Sequence, residues 1–238
     1  MQDVGAAAHN VRPVTNPDHL SVVGTRWFGT DVFELQLDRR GLSFVPGDCL
    51  ALYAADGRVS RPYSIASGTD DTILRFLVRR MPGGEVSPYL GERRPGDVVR
   101  VSPPFGWFRP GEHAARRPFV FVATGTGVAP FLAYLRSGPS ARPAAFLYGV
   151  RQEADAVEPA WLRTVAGVRI AVSREEVAGC HRGRVTDLLP GLPLGPDIDY
   201  YLCGLDAMID EVTNWLEERS VSITRIHREC FFNASYTG

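Results

Sequence analysis

The chain has 238 residues, of which 45% are hydrophobic and 22% charged, and its net charge is −1. That is the composition of a soluble globular protein long enough for one large domain or two ordinary ones. So even a charge balance supplies no overall field toward nucleic acid, and no apolar run approaches the roughly 18–20 residues that cross a bilayer, so neither is an expected partner.

Residues 1–17 carry no apolar core of the kind a signal peptide needs and are expected to form a flexible N-terminal tail. From Leu20 to about Pro110 the signals are those of β-structure. Phe33, Leu35 and Leu37 alternate with Glu34 and Gln36, which predicts a half-buried strand. Phe44 to Asp48 reads as a turn into a strand over Cys49–Tyr53, and Asp56-Gly57 as a hairpin turn into Arg58–Ser67. Further strands are expected over Ile73–Arg79 and, after Pro95-Gly96-Asp97, over Val98–Ser102. Many short strands separated by Gly, Pro and Asp predict a small antiparallel barrel.

The rhythm changes at a polar stretch, Gly111 to Arg117. Phe119 to Ala123 is continuously apolar, as a strand buried on both faces should be, and Ala144–Tyr148, Val168–Val172 and Tyr200–Cys203 repeat the pattern. Helices are predicted between them, over Pro130–Leu135, Pro159–Val165, Thr186–Leu189 and Ala207–Arg219. In the last, Met208, Ile209, Val212, Trp215 and Leu216 share one side. Alternating β and α signals predict a parallel α/β sheet. The expected organisation is therefore a tail (1–17), an antiparallel β-barrel domain (18–113) and an α/β domain (114–238).

Three motifs carry the chemistry. Arg61-Pro62-Tyr63-Ser64 places a guanidinium and an aromatic ring on one side of a strand, suited to a phosphate and a planar ring system; Ser64 points the other way unless the strand bends. Gly83-Gly84-Glu85-Val86-Ser87 lets backbone N–H groups approach a phosphate at a helix start. Thr124-Gly125-Thr126-Gly127-Val128-Ala129-Pro130 follows a buried strand and opens a helix, where a pyrophosphate can be cradled, although it lacks the three spaced glycines of the dinucleotide fingerprint.

In this order the motifs resemble the ferredoxin–NADP reductase family, from about Leu20 to Phe232. The resemblance implies an FAD-binding barrel followed by an NADP-binding α/β domain. It puts FAD against Arg61, Pro62, Tyr63, Ser64, Gly83, Gly84, Val86 and Ser87, and less specifically against Leu77, Val78 and Arg79, the last of which also reads as a solvated edge residue. It puts the pyridine nucleotide against Thr124, Gly125, Thr126 and Gly127. All 26 basic residues are arginine, so any cationic phosphate contact is a guanidinium. Arg151, Ser173, Arg174 and Arg184 lie near the ends of adjacent strands and suit a 2′-phosphate, which favours NADP(H); Glu175 and Glu176 beside Arg174 are possible competitors for it.

Tyr201-Leu202-Cys203-Gly204 followed by Asp206 and Met208 is similar to the family's nicotinamide loop, with Leu205-Asp206 in place of the commoner prolines. Glu229 and Phe231 fit its terminal acidic and aromatic pair. Ser64, Cys203 and Glu229 are the implied catalytic constellation, with Cys203 a positioning group and not a nucleophile. Phe231, or Tyr236 in the tail, is the aromatic expected to cover the flavin, the alternative being that Phe231 and Phe232 are core.

The reaction implied is hydride transfer from nicotinamide C4 to flavin N5, then single electrons to a ferredoxin or flavodoxin. Two other readings stand beside it: the reductase component of an oxygenase, served by a separate iron–sulfur protein, and a non-catalytic flavin- or nucleotide-binding subunit. The four cysteines (Cys49, Cys180, Cys203 and Cys230) are scattered, so no metal site is expected, and reduced thiols suit a cytoplasmic protein; a monomer is expected. The pairs Arg39-Arg40, Arg79-Arg80, Arg93-Arg94 and Arg116-Arg117 are candidates for docking an acidic acceptor.

Overall fold

The computed structural model describes residues 18–231; the expected N-terminal tail, Phe232 and Tyr236 lie outside the described residues. The first half is antiparallel. It has strands β1 (His19–Phe28), β2 (Val32–Asp38), β3 (Cys49–Tyr53), β4 (Ser60–Ser64), β5 (Ile73–Arg79) and β6 (Val98–Arg100), with a short helix α1 (Val86–Gly91) between the last two. One sheet has the order β5-β2-β1-β6, and β3 and β4 form a hairpin. Bridges from Cys49 to Phe105, Leu52 to Val101 and Ile65 to Phe76 join the hairpin to the four-stranded sheet and curl the whole into a barrel. Leu20, Phe33, Leu35, Leu50, Leu52, Ile65 and Phe76 fill the inside.

The predicted alternation of β2 holds for its apolar residues. Glu34, read as solvent-facing, is instead buried and pairs with Arg75 at 3.0 Å, because the strand lies between β1 and β5 and the cation comes from the neighbour. The longest strand, β1, had no motif of its own. Its register with β2 shifts between Val22 and Gly24, a bulge that interrupts the two-residue period.

The second half has β7 (Phe119–Thr124), α2 (Ala129–Arg136), β8 (Ala145–Val150), α3 (Pro159–Ala166), β9 (Arg169–Val172), β10 (His181–Arg182), β11 (Asp199–Gly204), α4 (Asp206–Glu217) and β12 (Ile226–Cys230). The sheet order is β10-β9-β8-β7-β11-β12, and every pairing is parallel. The segment predicted as a helix over Thr186–Leu189 is a 3-10 helix, Val185–Gly191, since Pro190 removes a backbone donor from it.

Strands β7 to β10 progress one way from β7, and β11 and β12 lie on its other side. The order therefore reverses between β7 and β11. Ligands of open α/β sheets bind beyond the strand ends at such a reversal. The barrel packs there too: Phe28, Val32, Ala66, Leu77 and Phe108 belong to the same core as α2, α3 and one face of the parallel sheet. Phe108 meets Phe131 and Tyr201 edge-on, each at 5.9 Å between ring centres.

Candidate functional site

Between the two halves runs one cleft of about 1950 Å³. Pockets for a drug-sized ligand are roughly 300–1,000 Å³, so this one has room for two large ligands.

On the barrel side, Arg61 and Pro62 are exposed, Tyr63 is half-buried and Ser64 is buried, and all four line the cleft. The bend that Ser64 requires is present. Ser64 pairs with Cys49 in the hairpin, but the next residue, Ile65, bridges to Phe76 in the other sheet. Burial pushes the Tyr63 hydroxyl up to about 12, so the ring stays neutral. Among the described residues Arg61 donates only to its neighbour's carbonyl, that of Ser60 (2.8 Å), which leaves donors for a ligand. Gly83 has a positive φ of 77° and Gly84 follows it; Val86 and Ser87 complete this wall. The Ser87 hydroxyl accepts the Met81 N–H at 3.0 Å and closes that turn.

The three β5 residues separate. Leu77 faces the cleft, whereas Val78 points into the barrel core, since consecutive strand residues face opposite ways; only its main chain is available to a ligand. Arg79 is not a solvated edge residue. It is half-buried on the cleft wall, and a Cβ placed on Gly125 would stand 3.3 Å from its guanidinium. Burial, then the neighbouring Arg151, pulls that guanidinium below its ordinary value. This cation thus reaches from the barrel to the glycine loop of the other half.

In the α/β half, Gly125–Val128 makes a 3-10 turn between β7 and α2. Thr124, Gly125 and Thr126 line the cleft. Gly127 lies behind them against the carbonyl of Cys203, where a Cβ has no room. The Thr124 hydroxyl accepts the Leu205 N–H at 3.0 Å, joining the ends of β7 and β11 where the strand order reverses. Arg151, Ser173, Arg174 and Arg184 converge on the outer end of the cleft. The carboxylates expected to compete for Arg174 have other partners: Glu175 accepts the Glu153 N–H, and Glu176 pairs with Arg182. Among the described residues, none of these three guanidiniums sits in an ion pair with a carboxylate.

Gly204 and Met208 line the inner end. Asp206 starts α4 outside the cleft. Phe231 lies half-buried on the cleft wall, its N–H donating to the Gly204 carbonyl at 2.8 Å. The implied catalytic groups come together here. Ser64 Oγ donates to Glu229 Oε1 at 2.8 Å, a contact across the two halves of the molecule. Cys203 Sγ is 4.0 Å from the same oxygen, but the residue is fully buried behind the cleft wall, and burial followed by Glu229 holds its thiol well above its ordinary value. Burial raises the Glu229 carboxyl, while the Ser64 hydrogen bond and Arg109 pull it back in part.

Two residues at this inner end had no part in the motifs. Arg109 holds Asp48 at 2.9 Å and the Gly106 carbonyl at 2.7 Å, and its field reaches Glu229. Cys49 lies on the cleft wall opposite Ser64. Its signal was present, because Cys49 and Ser64 are equidistant from the Asp56-Gly57 turn.

The cleft suits FAD and a nicotinamide dinucleotide: guanidiniums and close-approaching glycine loops for pyrophosphates, and Tyr63, Leu77 and Val86 for planar rings. Residues 28–109 match the model of the oxidoreductase FAD-binding domain and residues 121–214 that of the oxidoreductase NAD-binding domain. Ferredoxin–NADP reductase B of Sorangium cellulosum is 32% identical over 237 residues, covering 89% of this chain and 95% of that protein. The chain belongs to the ferredoxin–NADP reductase family.

The toluate 1,2-dioxygenase electron transfer component of Pseudomonas putida is 30% identical over 80% of this chain. The chain spans 59% of that relative, and 60% and 47% of two related oxygenase components. The crystal structure of the Amycolatopsis cytochrome P450 reductase GcoB superposes with a TM-score of 0.79 at 28% identity, over 91% of this chain and 70% of that one. Among the described residues no helix is long and apolar enough to cross a membrane.

Proposed function

We propose that this chain is an FAD-dependent reductase that takes electrons from NADPH and passes them singly to a ferredoxin or flavodoxin, or to the iron–sulfur protein of an oxygenase system. One observation carries the reading: a single cleft crosses from the barrel to the strand-order reversal, and at its inner end Ser64 of one half is hydrogen-bonded to Glu229 of the other. The names of the relatives, electron transfer components and a ferredoxin–NADP reductase, support it.

We assign residues 18–113 to FAD and 114–238 to the dinucleotide. Bound FAD would accept a hydride from the nicotinamide and release electrons singly. The protein's own contribution is orientation. Arg61 and the Gly83-Gly84 turn would hold one pyrophosphate, and Gly125 to Gly127 the other. Tyr63 would flank the ring. Ser64 and Glu229 would fix where the two rings meet, with Cys203 behind them and Phe231 beside them. Arg151, Ser173, Arg174 and Arg184 favour NADP(H) over NAD(H). Scattered free cysteines fit a cytoplasmic protein.

The test is anaerobic titration of the holoprotein with NADPH and NADH in parallel, followed by candidate ferredoxins and flavodoxins. NADPH should bleach the flavin at lower concentration than NADH, and an iron–sulfur acceptor should restore its colour. A yellow protein that neither nucleotide reduces would instead be a non-catalytic binding subunit.

A further inference from the structure

Cys49 opens β3 and is pinned from both sides. In the hairpin register it faces Ser64. On its other side it exchanges two backbone hydrogen bonds with Phe105, at 2.6 and 3.0 Å. These pairings fix its main chain, and its side chain places the sulfur 3.4 Å from Ser64 Oγ.

The direction of that contact follows from counting protons. A serine hydroxyl has one proton to donate, and an ionised carboxylate only accepts. Ser64 Oγ lies 2.8 Å from Glu229 Oε1, so its proton points there. What faces Cys49 is then a lone pair, and the thiol must be the donor. The order is Cys49 S–H to Ser64 O–H to the Glu229 carboxylate, two barrel residues reaching one residue of the other half.

We propose that Cys49 is a positioning residue of the hydride-transfer site: its thiol donates to Ser64 and so commits the serine proton to Glu229 across the seam. The proposal rests on the reading of the cleft as an FAD and NADPH site. Without a donor at position 49, the Ser64 hydroxyl has no fixed partner on its acceptor side, and its bond to Glu229 loses the reinforcement that chained hydrogen bonds give one another. The thiol remains a donor at working pH, since burial, then Glu229, pushes it up to about 11.

The other groups around this chain are fixed. Arg109 and Asp48 face it from the barrel side as a pair, and Cys203, itself protonated, faces Glu229 from β11. Protonating Glu229 would reverse the order, with the carboxyl donating to Ser64 and Ser64 to the sulfur.

The test uses the full chain as Cys49→Ala, Cys49→Ser and Ser64→Ala variants, with two readouts. The first is the infrared S–H stretching band of Cys49, identified by its loss in Cys49→Ser. It should lie at a hydrogen-bonded position and move to the free-thiol position in Ser64→Ala, whether or not flavin is bound. The second is single-turnover reduction of the holoprotein's FAD by NADPH across pH. Cys49→Ala should slow it by about three- to tenfold, the worth of one ordinary hydrogen bond. The acid limb of its pH profile should move upward, with little change in the apparent Kd for NADPH, and Cys49→Ser should restore both the rate and the profile.

A wild-type Cys49 band at the free-thiol position, or one that Ser64→Ala leaves unmoved, overturns the proposal. So do rates and pH profiles in Cys49→Ala that match the wild type. If Cys49→Ala does not fold, the band in Ser64→Ala decides, because Cys49 is intact there. A holoprotein that NADPH cannot reduce at all would instead refute the reading of the cleft, and the infrared result would stand apart from it.

Discussion

Side chains of opposite charge lie at the two ends of the cleft. At the outer end Arg174 is exposed, near Arg151 and Arg184, with its neighbouring carboxylates engaged elsewhere. A guanidinium there would recognise a 2′-phosphate, and charge-assisted hydrogen bonds are worth ~1.5–3 kcal/mol. Arg174→Ala should raise KM for NADPH by about tenfold or more and leave KM for NADH nearly unchanged; parallel steady-state assays with both nucleotides check it, and equal effects would argue against a 2′-phosphate site. At the inner end Glu229 carries a carboxyl whose folded-state pKa is raised by burial. A raised pKa means that the folded state binds the proton more tightly than the unfolded state. Stability from this group is then fully present below the unfolded value and declines as pH rises through the folded one. At neutral pH the ionised carboxylate is thus a cost to folding. Glu229→Gln should slow flavin reduction yet melt no lower than the wild type at pH 7, with any gain shrinking toward pH 4, as thermal melts at several pH values would show. Loss of stability at pH 7 together with activity would mean that the ionised group holds the fold.

Elements differ in how far their sequences announce them. Strand β7 is five apolar residues in a row and nothing else fits; β5 is bounded by turns and needed no correction. Strand β1 was hidden by its bulge, and the helix predicted before Leu189 tightened to 3-10 around Pro190. The cleft lining was legible wherever a motif was local, as in Arg61 to Ser64 or the glycine loop. It was not legible where the two halves meet. Arg79 sits beside Gly125 and Glu229 beside Ser64, distances set by packing that no spacing along one chain encodes. Glu34 was misread for a related reason, since which face of a strand is buried depends on the layers either side of it. The junction of β7 and β11 shows how tight such packing is. Gly127 has no space for a Cβ because the Cys203 carbonyl occupies it, and backbone cannot yield as a side-chain tip can. Gly127→Ala should therefore destabilise by about 1–3 kcal/mol, the usual cost of overpacking, seen as a lower denaturation midpoint, and weaken nucleotide binding by displacing the loop. An unaffected midpoint would show that the two strand ends separate freely.

For the whole molecule the question is whether the two halves keep one orientation, because the inner end of the cleft exists only when they do. Inter-domain contacts commonly permit relative motion unless they are large and apolar. Here the seam contains part of the main core, and a polar clamp sits beside it. Arg136, at the end of α2, donates to the Ala66 carbonyl of the barrel (2.6 Å) and pairs with Glu158 at 2.7 Å. The adjoining Ser137 hydroxyl accepts the Thr69 N–H at 3.0 Å. Glu158 itself has a positive φ of 46°, a conformation that costs a non-glycine residue energy and persists when its surroundings hold it. The side chain of Arg136 is largely buried and that of Glu158 only partly, at 11% and 25% exposure, so cutting the pair costs less than the 3–5 kcal/mol of a fully buried one, about 1–3 kcal/mol. At ~2–4 °C per kcal/mol for a protein of this size, Arg136→Met should lower Tm by about 5 °C. The kinetic consequence separates a clamp from a mere stabiliser. If Arg136 holds the halves in register, flavin reduction should slow at saturating NADPH while KM barely moves, because the nucleotide's own half is intact and only its approach to the barrel is disturbed. Unchanged turnover below the new Tm would mean that the shared apolar core alone fixes the geometry of Ser64 and Glu229.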